Sequence, residues 1–521
     1  MNPDAPPVSL PDSAMSYWID STEQPAHPRL SEDIEADVAV VGAGIAGIST
    51  ATFLAEEGHS VVLLDANGIA TKTTGHTAAK VTVAHGLRYS YLLDTFGEEK
   101  ARLYADANRT ALEEVSSRVD DGNIDCAFQR APAYSYVPPG DDTQQIEDEV
   151  AAARRLGLEA TYVEDVPAPV DVAAGIKYDD QAHFHPRAYL LSLLDTFEAE
   201  GGRVYGNTRA TDIESGPRPR IETPEGRVTA DDVVVASHYP FVKRRLYLPR
   251  TLPGQEHIIA VEVDGEPPEG MYYNAGTDLH SFRPIPTEDG TMLLVEGKKH
   301  PTGLAEDTME LLREVQSFAT STFPVEDITY RWSAQDYMTM DQVPYMGPIS
   351  PFSENVYVAT GFGGWGMTHG TVAGLLLSDL IAGRDNEWAE LYTPNRIPPL
   401  KSLKRLPKAG SKMIKQFITG RRTPSEEDTL SALTPGEGKV VTGDDEPLGV
   451  YRDDSGEWHA VLGTCTYSGC VLRWSGAGES WDCSCDGSRY ARDGTVIDGP
   501  AQKDLPERPV PTTENGTRPT R

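Results

Sequence analysis

Residues 36–47 read Ala-Asp-Val-Ala-Val-Val-Gly-Ala-Gly-Ile-Ala-Gly, an apolar run that ends in the pattern Gly-x-Gly-x-x-Gly. A helix is predicted next, over residues 48–57, and the apolar segment 60–65 then ends in an aspartate. A strand, a glycine turn, a helix and a second strand with an acid at its end form a Rossmann-type βαβ unit. The stretch therefore predicts an α/β fold that binds an ADP-containing cofactor.

The glycines and the acid each have a physical task in such a unit. Gly42 allows the tight turn, Gly44 lets backbone amides approach a pyrophosphate at the helix N-terminus, and Gly47 allows close helix–strand packing. Asp65 accepts hydrogen bonds from a ribose. The residues predicted to contact the cofactor here are Gly42, Gly44, Ile45, Ala46, Gly47, Asp65 and Ala66.

Length, composition and charge limit the classes of protein to consider. The chain has 521 residues, 39% of them hydrophobic, which is enough for sizeable cores and excludes wholesale disorder. At roughly 100–200 residues per domain, the length predicts about three structural units. The net charge of −34 repels phosphate and excludes nucleic acid as a partner. An acidic, lysine-poor surface is typical of halophilic-type proteins, and an ordinary acidic cytosolic protein fits almost as well.

The N-terminal residues and the cysteines indicate the compartment. Residues 1–24 have no basic segment before an apolar core, so no secretory signal is predicted. Residues 38–55 are uncharged over eighteen positions, near the lower limit for a membrane span, but the glycine pattern favours a buried strand–turn–helix. Four of the five cysteines lie within residues 465–485, which favours a metal or redox site. We expect a cytoplasmic protein without a transmembrane segment.

Changes in composition divide the chain. Residues 15–398 alternate Val-rich runs with helical stretches, which is typical of an α/β domain. Residues 439–508 are strand-like and rich in turn pairs such as Asp-Gly, which predicts a small all-β module. Residues 399–438 are predicted to be a basic linker, and residues 509–521 a disordered tail.

The linker has three interpretations. Residues 401–422 contain eight basic residues and no acidic one. They could form a helix on a membrane surface, a helix that binds a partner, or a linker that docks on the acidic body. We favour the docked linker, because opposite charges would hold the small module against the body.

A second glycine-rich stretch, residues 356–370, reads VYVATGFGGWGMTHG, and a helix is predicted from Thr371 to Ala382. With the Gly-Pro segment at 341–348, it resembles the flavin-binding segment of the D-amino-acid oxidase / glycine oxidase (DAO) family of FAD-dependent oxidoreductases. The resemblance extends over residues 15–398 and implies FAD, with an α+β substrate domain interleaved with the FAD-binding domain. It implies that the isoalloxazine edge contacts Gly361, Gly363, Gly364, Trp365, Gly366 and Met367.

The same resemblance implies further contacts with FAD. Residues 73–80 match a polar loop whose hydroxyls and cation bond flavin N5 or O4, while a solvated Thr-rich loop is the alternative. Residues 204–210 resemble the strand that contacts the adenine, and residues 233–238 the strand end that abuts the cofactor. The residues implied in this way are Thr73, Thr74, His76, Thr77, Ala210 and Ser237.

The resemblance also implies an activity. Members of this family remove a hydride from a carbon that bears an amine, which implies a small amine-type substrate and oxygen or a protein as electron acceptor. In amino-acid oxidases an arginine anchors the substrate carboxylate; here Gln335 or Asp336 holds that position, which disfavours an amino acid. Other candidate pocket cations are Arg283, Lys298 and His300, with ordinary surface cations as the alternative. A flavin-binding protein without turnover is the rival function.

Two cysteine-containing segments carry a second resemblance. Residues 463–470 read GTCTYSGC and residues 481–488 read WDCSCDGS. Their spacing, glycines and final serine resemble the loops of Rieske iron–sulfur domains, Cys-Thr-His-x-Gly-Cys and Cys-x-Cys-His-Gly-Ser. The resemblance implies a [2Fe-2S] module for electron relay, with Cys465 and Cys483 as the cysteine ligands of one iron.

Both histidines of the Rieske pattern are replaced in this chain. Tyr467 and Asp486 stand where the imidazole ligands of the second iron belong. The resemblance also implies a disulfide between Cys470 and Cys485. Three outcomes stay open: a structural or partner-docking module that has lost its cluster, an unusual cluster with oxygen ligands, or a zinc site formed by cysteines. We favour the first.

Overall fold

The computed structural model describes residues 8–242, 247, 250–288, 290–403, 433–442 and 446–510. Most of the predicted basic linker and nearly all of the predicted tail lie outside these residues. The described residues form an α/β domain of the Rossmann type, an α+β domain interleaved with it, and a small all-β module. This architecture is the one predicted from the sequence.

The first sheet has the fingerprint strand at its centre. Its valines are buried on both faces, as expected for a parallel strand covered by helices. Val41 pairs with Leu64 on one side and Val235 on the other, so the strands end at one edge. In spatial order the strands are Tyr345–Pro348, Val356–Thr360, Arg227–Val235, Ile34–Val41, Val61–Leu64 and Arg203–Tyr205; Arg220–Glu222 also pairs with Arg227–Val235, and Asp212–Glu214 pairs with Arg220–Glu222.

Two helices begin at the two glycine turns. Helix Ile45–Glu56 begins directly after Gly44, and helix Gly366–Ile381 begins five residues before the predicted start at Thr371. No helix in the described residues is long and apolar enough to cross a membrane. The other helices are Tyr17–Asp20, Tyr89–Phe96, Glu98–Gly122, Gln144–Arg155, Pro186–Ala199, Thr308–Thr322, Ala389–Tyr392 and Leu400–Leu403, with a 3-10 turn at Thr73–His76.

The second sheet has nine strands and covers the strand ends of the first. Its two longest strands, Thr251–Val263 and Val325–Thr339, are neighbours and pair antiparallel from Thr251↔Thr339 to Val263↔Val325. At the opposite end Lys80 pairs with His183. In spatial order the strands are Val325–Thr339, Thr251–Val263, Gly290–Pro301, His280–Thr287, Met271–Asn274, Gln129–Val137, Ala174–His183 and Lys80–Val81, with Ala160–Val163 attached to Ala174–His183.

The small module consists of two antiparallel sheets around the buried Trp481. One sheet contains Gly438–Thr442, Pro447–Arg452 and Trp458–Leu462, and the other Arg473–Ser475, Ser480–Asp482, Arg489–Ala491 and Val496–Asp498. The module lies directly on the substrate domain. Gln255 Nε2 donates to Asp482 Oδ2 at 2.8 Å, and Arg473 donates to the carbonyl of Ala305 at 3.1 Å. Its own side chains therefore help to hold it in place.

Candidate active site and cofactor cavity

A long cavity follows the carboxyl ends of the parallel strands, where open α/β sheets bind their ligands. Most of the residues predicted to contact FAD line it, although they come from six separate segments. They are Gly42, Gly44, Ile45, Ala46, Asp65, Ala66, Thr73, Thr74, Thr77, Ala210, Ser237, Gly361, Gly364, Gly366 and Met367. Gly363 and Trp365 line a smaller adjoining cavity, and Gly47 and His76 line neither.

The first glycine turn has the shape that a dinucleotide needs. Gly42 has φ +107°, a conformation that L side chains rarely adopt. A Cβ on Gly47 would lie 1.7 Å from the carbonyl oxygen of Gly42, so only glycine fits there. A Cβ on Gly44 would meet Thr74 Oγ1 at 3.1 Å. The backbone at the N-terminus of the helix is therefore open to the cavity, as pyrophosphate binding requires.

Asp65 connects the second strand to this turn. Its Oδ2 accepts a hydrogen bond from the amide of Ala43 at 2.9 Å, and Oδ1 accepts from that of Asn67 at 2.8 Å. Burial raises the pKa of Asp65, although both amides oppose this effect. The carboxylate thus fixes the glycine turn and also lines the cavity where a ribose would bind.

Two cations that the sequence reasoning missed lie on the cavity wall, Lys72 and Arg209. Burial lowers the pKa of Lys72 to about 8, although Asp498 and Asp65 raise it. Burial also lowers the pKa of Arg209, whose guanidinium donates to Asn67 Oδ1 at 3.1 Å. A bound diphosphate would stabilise the charged form of both groups. The cavity therefore offers FAD the exposed backbone of the glycine turn and two cations for its diphosphate.

The smaller cavity adjoins the glycine loop and contains four charged side chains. Lys80 Nζ donates to Ser281 Oγ at 2.6 Å and lies 3.8 Å from Glu296 Oε2. Lys299 pairs with Glu256. Both glutamates line both cavities, so they lie beside the space for the flavin. Of these four side chains only Lys80 lies in a segment that the sequence singles out, the polar loop 73–80.

The smaller cavity, with Lys80, Lys299, Glu256 and Glu296, is called the chamber below. Glu296 is its side chain that titrates near neutral pH. Burial and the neighbouring carboxylate of Glu256 raise the pKa of Glu296 to about 7, while Lys80 opposes the shift. Ser281 Oγ donates to Glu296 Oε2 at 2.7 Å and fixes its position. A carboxyl group with this pKa can accept a proton at physiological pH and release it again.

The three cations predicted as pocket candidates lie elsewhere and line neither cavity. Arg283 is fully buried and donates to the carbonyl oxygens of Ala78 and Pro284 at 2.5 and 2.8 Å. Lys298 pairs with surface carboxylates, and His300 stacks on His257. In the structure these residues take part in core packing and in surface ion pairs. The sequence shows only that they are cationic residues on predicted strands, which does not reveal whether a side chain faces a pocket.

Gln335 and Asp336, which the resemblance aligns with the carboxylate anchor of amino-acid oxidases, lie on strand Val325–Thr339. Gln335 Nε2 donates to the carbonyl of Gly487 in the small module at 2.9 Å. Asp336 accepts hydrogen bonds from the amide of Gly364 and from His238 Nε2, the latter at 3.2 Å. Both side chains line the long cavity, and neither offers a positive charge to a substrate.

The two Rieske-like loops meet inside the small module. A disulfide joins Cys470 and Cys485. The thiols of Cys465 and Cys483 and the carboxylate of Asp486 lie within 4.8 Å of one another. Tyr467 is 41% exposed. The groups near the thiols are thus the Asp486 carboxylate and the phenol of Tyr490, whose hydroxyl lies 3.2 Å from Cys465 Sγ, and this set without imidazoles does not fit the ligands of a Rieske cluster.

Two family models match the chain: FAD dependent oxidoreductase over residues 37–380, and Rieske [2Fe-2S] domain over residues 426–509. YhfW of Bacillus subtilis (strain 168), described as a Rieske 2Fe-2S iron-sulfur protein, is 36% identical over 94% of this chain and 96% of its own length. Gamma-glutamylputrescine oxidoreductase of Escherichia coli (strain K12) is 26% identical over 72% of this chain and 90% of its own.

Solved structures share the fold. Glycine oxidase from Geobacillus kaustophilus superposes with a TM-score of 0.58 at 17% identity, covering 70% of this chain and 99% of that one. Fold and cavity together define a flavin-dependent oxidoreductase with FAD as its cofactor. The chain belongs to the FAD dependent oxidoreductase (DAO) family and carries a Rieske-type domain after the flavin domain.

Proposed function

We propose that this oxidoreductase oxidises a small amine at a carbon–nitrogen bond. The observation that carries the proposal is the pair of carboxylates, Glu256 and Glu296, at the junction of the two cavities. Carboxylates form charge-assisted hydrogen bonds with an ammonium group, so they favour an amine over an acid. One relative is named gamma-glutamylputrescine oxidoreductase, after a derivative of the amine putrescine, and this name supports the same substrate class.

The cations of the chamber argue against a substrate carboxylate as the main anchor point. Lys80 lies near Glu296, and Lys299 pairs with Glu256. Each lysine that lines the smaller cavity therefore already has a carboxylate partner among the described residues. A substrate carboxylate would have to displace one of these glutamates, whereas an ammonium group would add a partner to both.

The side chains of the chamber bind the substrate and remove a proton from it. Bound FAD supplies the hydride acceptor, which takes up the two electrons of the oxidation. An amine gives up hydride only when its nitrogen is neutral, so the ammonium proton must leave first. Glu296 accepts this proton, and Ser281 holds the carboxylate in place. Loss of hydride from the neighbouring carbon then leaves an iminium ion, which water hydrolyses to a carbonyl compound and an amine.

We further propose that the C-terminal module has kept the Rieske fold and lost the cluster. Both imidazole positions hold other side chains, Tyr467 and Asp486, and the Asp486 carboxylate accepts a hydrogen bond from the amide of Ser488 at 2.7 Å. Electrons from the flavin would then pass to oxygen or to an acceptor protein. We place the reaction in the cytoplasm, and the boundaries 15–398, 399–438, 439–508 and 509–521 remain predictions.

The test is reduction of the protein-bound FAD without oxygen. The protein is mixed anaerobically with mono- and diamines, with their N-acyl derivatives and, separately, with glycine and other amino acids. We expect amines to bleach the flavin absorption and amino acids to leave it unchanged. Reduction by amino acids alone would contradict the proposal, and no reduction by any compound would favour the rival of a flavin-binding protein without turnover.

A further inference from the structure

The small module forms part of the wall of the flavin cavity. Five of its residues line the long cavity together with the Rossmann glycines, namely Val496, Ile497, Asp498, Gly499 and Gln502. They belong to the last strand of the module and the turn that follows it. The flavin domain alone would leave this side of the cavity open to solvent.

Asp498, on this strand, is hydrogen-bonded to side chains of the flavin domain. Its Oδ1 lies 3.0 Å from Nδ1 of His238, which follows Ser237 three residues beyond the end of strand Arg227–Val235. Asp498 Oδ2 accepts a hydrogen bond from Gln335 Nε2 at 3.1 Å. The Asp498 side chain is 9% exposed, so the carboxylate is almost wholly removed from water. Such a carboxylate needs positive charge nearby.

His238 connects this carboxylate to the glycine loop of the flavin site. Its Nε2 lies 3.2 Å from Asp336 Oδ1, and Asp336 Oδ2 accepts the amide of Gly364. Both ring nitrogens face carboxylates, and Nδ1 also lies 3.2 Å from Thr73 Oγ1, so the geometry favours the doubly protonated imidazolium, which can donate from both nitrogens. His238 also has φ +63°, which is uncommon for a residue with a side chain. The backbone is thus held in an unfavourable conformation that places the ring between two acids.

The positive charge of His238 has a second consequence. Asp336 and Asp498 both line the cavity that takes the negatively charged diphosphate of FAD. Without an imidazolium between them, two carboxylates would face this anion and weaken its binding. The three side chains therefore place the module against the flavin domain and also reduce the negative charge of the cavity wall.

We propose that Asp498 is a positioning residue of the flavin site, which holds the glycine loop in place through His238 and Asp336 and makes the C-terminal module a structural wall of that site. Binding of FAD and docking of the module then stabilise each other, because each restricts the same wall. The inference rests on the FAD site and not on the amine substrate, so it can fail or stand independently of the proposed reaction.

The test compares Asp498→Asn and Asp498→Glu with the wild-type chain. The matched control is Asp453→Asn, which breaks an exposed His–Asp pair of the same module, with 2.9 Å between His459 Nε2 and Asp453 Oδ2. Each protein is stripped of FAD and titrated with FAD, and the visible circular dichroism of the bound flavin is recorded.

We expect Asp498→Asn to raise the Kd for FAD by about tenfold or more and to change the flavin dichroism, since a charge-assisted bond is lost. Asp498→Glu should recover part of the affinity, and Asp453→Asn should match the wild type. If Asp498→Asn lowered only the melting temperature, with unchanged Kd and dichroism, the positioning role would be contradicted. Equal loss of FAD affinity in Asp453→Asn would contradict it as well.

Discussion

Lys80 Nζ lies 3.8 Å from Glu296 Oε2, and the hydroxyl of Ser281 is hydrogen-bonded to both side chains. Both residues lie on strands of the second sheet, the lysine on Lys80–Val81 and the glutamate on Gly290–Pro301. Burial lowers the pKa of Lys80, while burial and Glu256 raise that of Glu296. The chamber therefore places groups with shifted pKa values beside the space for the flavin.

Replacement of Lys72 tests the assignment of the diphosphate end of the cavity. We expect Lys72→Met to raise the Kd for FAD by about tenfold, because a cation that lines the cavity is lost. In the wild type the pKa of Lys72 is about 8 before FAD binds, so affinity should fall as the pH rises above 8. Titration with FAD at pH 7 and pH 9 checks both points.

The control for this prediction is Lys177→Met, which removes a lysine that pairs with Asp179 at 2.6 Å on the substrate domain. This variant should bind FAD like the wild type at both pH values. An affinity of Lys72→Met that equals the wild type would show that Lys72 does not contact the diphosphate.

His238 predicts a dependence of stability on pH. Although burial opposes the charge, Asp498 and Asp336 raise the pKa of His238 from 6.5 to about 10. Because the pKa of His238 is higher in the folded than in the unfolded state, protonation of His238 stabilises the folded state. This stabilisation is complete below pH 6.5 and is lost between pH 6.5 and about 10. The difference in unfolding free energy between wild type and His238→Gln should therefore shrink over this range.

Urea unfolding at pH 6, 8 and 9.5 measures this difference. His459→Gln, which changes the exposed histidine of the module, is the matched control and should differ little from the wild type. A difference for His238→Gln that stays constant or grows with pH would contradict the imidazolium assignment.

The fingerprint glycine offers a steric test. Gly47→Ala would place a Cβ 1.7 Å from the carbonyl oxygen of Gly42, so the turn and the helix must move apart. We expect loss of FAD binding together with a destabilisation of several kcal/mol, seen as a lower melting temperature. Gly216→Ala is the control, because this glycine is exposed, lies outside the FAD segments, and an added Cβ would have its nearest neighbour 3.9 Å away. Normal FAD content in Gly47→Ala would refute the proposed packing.

Chemical analysis tests the proposed loss of the cluster. Iron, zinc and acid-labile sulfide are measured on the purified holoprotein beside its FAD content. We expect stoichiometric FAD without stoichiometric iron or sulfide, because Tyr467 and Asp486 replace the imidazoles. Two irons and two sulfides per chain would contradict this expectation. Zinc without sulfide would instead identify a metal site at Cys465, Cys483 and Asp486.

Local patterns explain why the FAD site was predictable. Gly42, Gly44 and Asp65 lie within one βαβ unit, where spacing alone determines which backbone atoms face the ligand. The helix after the second glycine loop was also predicted, but it starts at Gly366 instead of Thr371. A glycine-rich segment does not reveal from sequence where turn geometry ends and helical geometry begins.

The substrate chamber and the contact between domains depend on residues far apart in the chain. Lys80 and Ser281 are 201 residues apart, and His238 and Asp498 are 260 apart. Single cations such as Arg283 looked equally suitable in sequence, although burial among backbone carbonyls fixes it in the core. Only the register of the second sheet brings the correct lysines and glutamates to the cavity.

Whether Glu296 accepts the substrate proton is tested by the rate constant of anaerobic flavin reduction by an active amine, measured by stopped flow between pH 5 and 9. For the wild type we expect the rate to rise through pH 7, where Glu296 loses its proton. Glu296→Gln should be slower by about 100-fold and lack this rise. The control is Glu314→Gln, which removes a surface partner of Lys298 and should behave like the wild type. A Glu296→Gln variant with the wild-type rate and pH profile would show that Glu296 is not the proton acceptor.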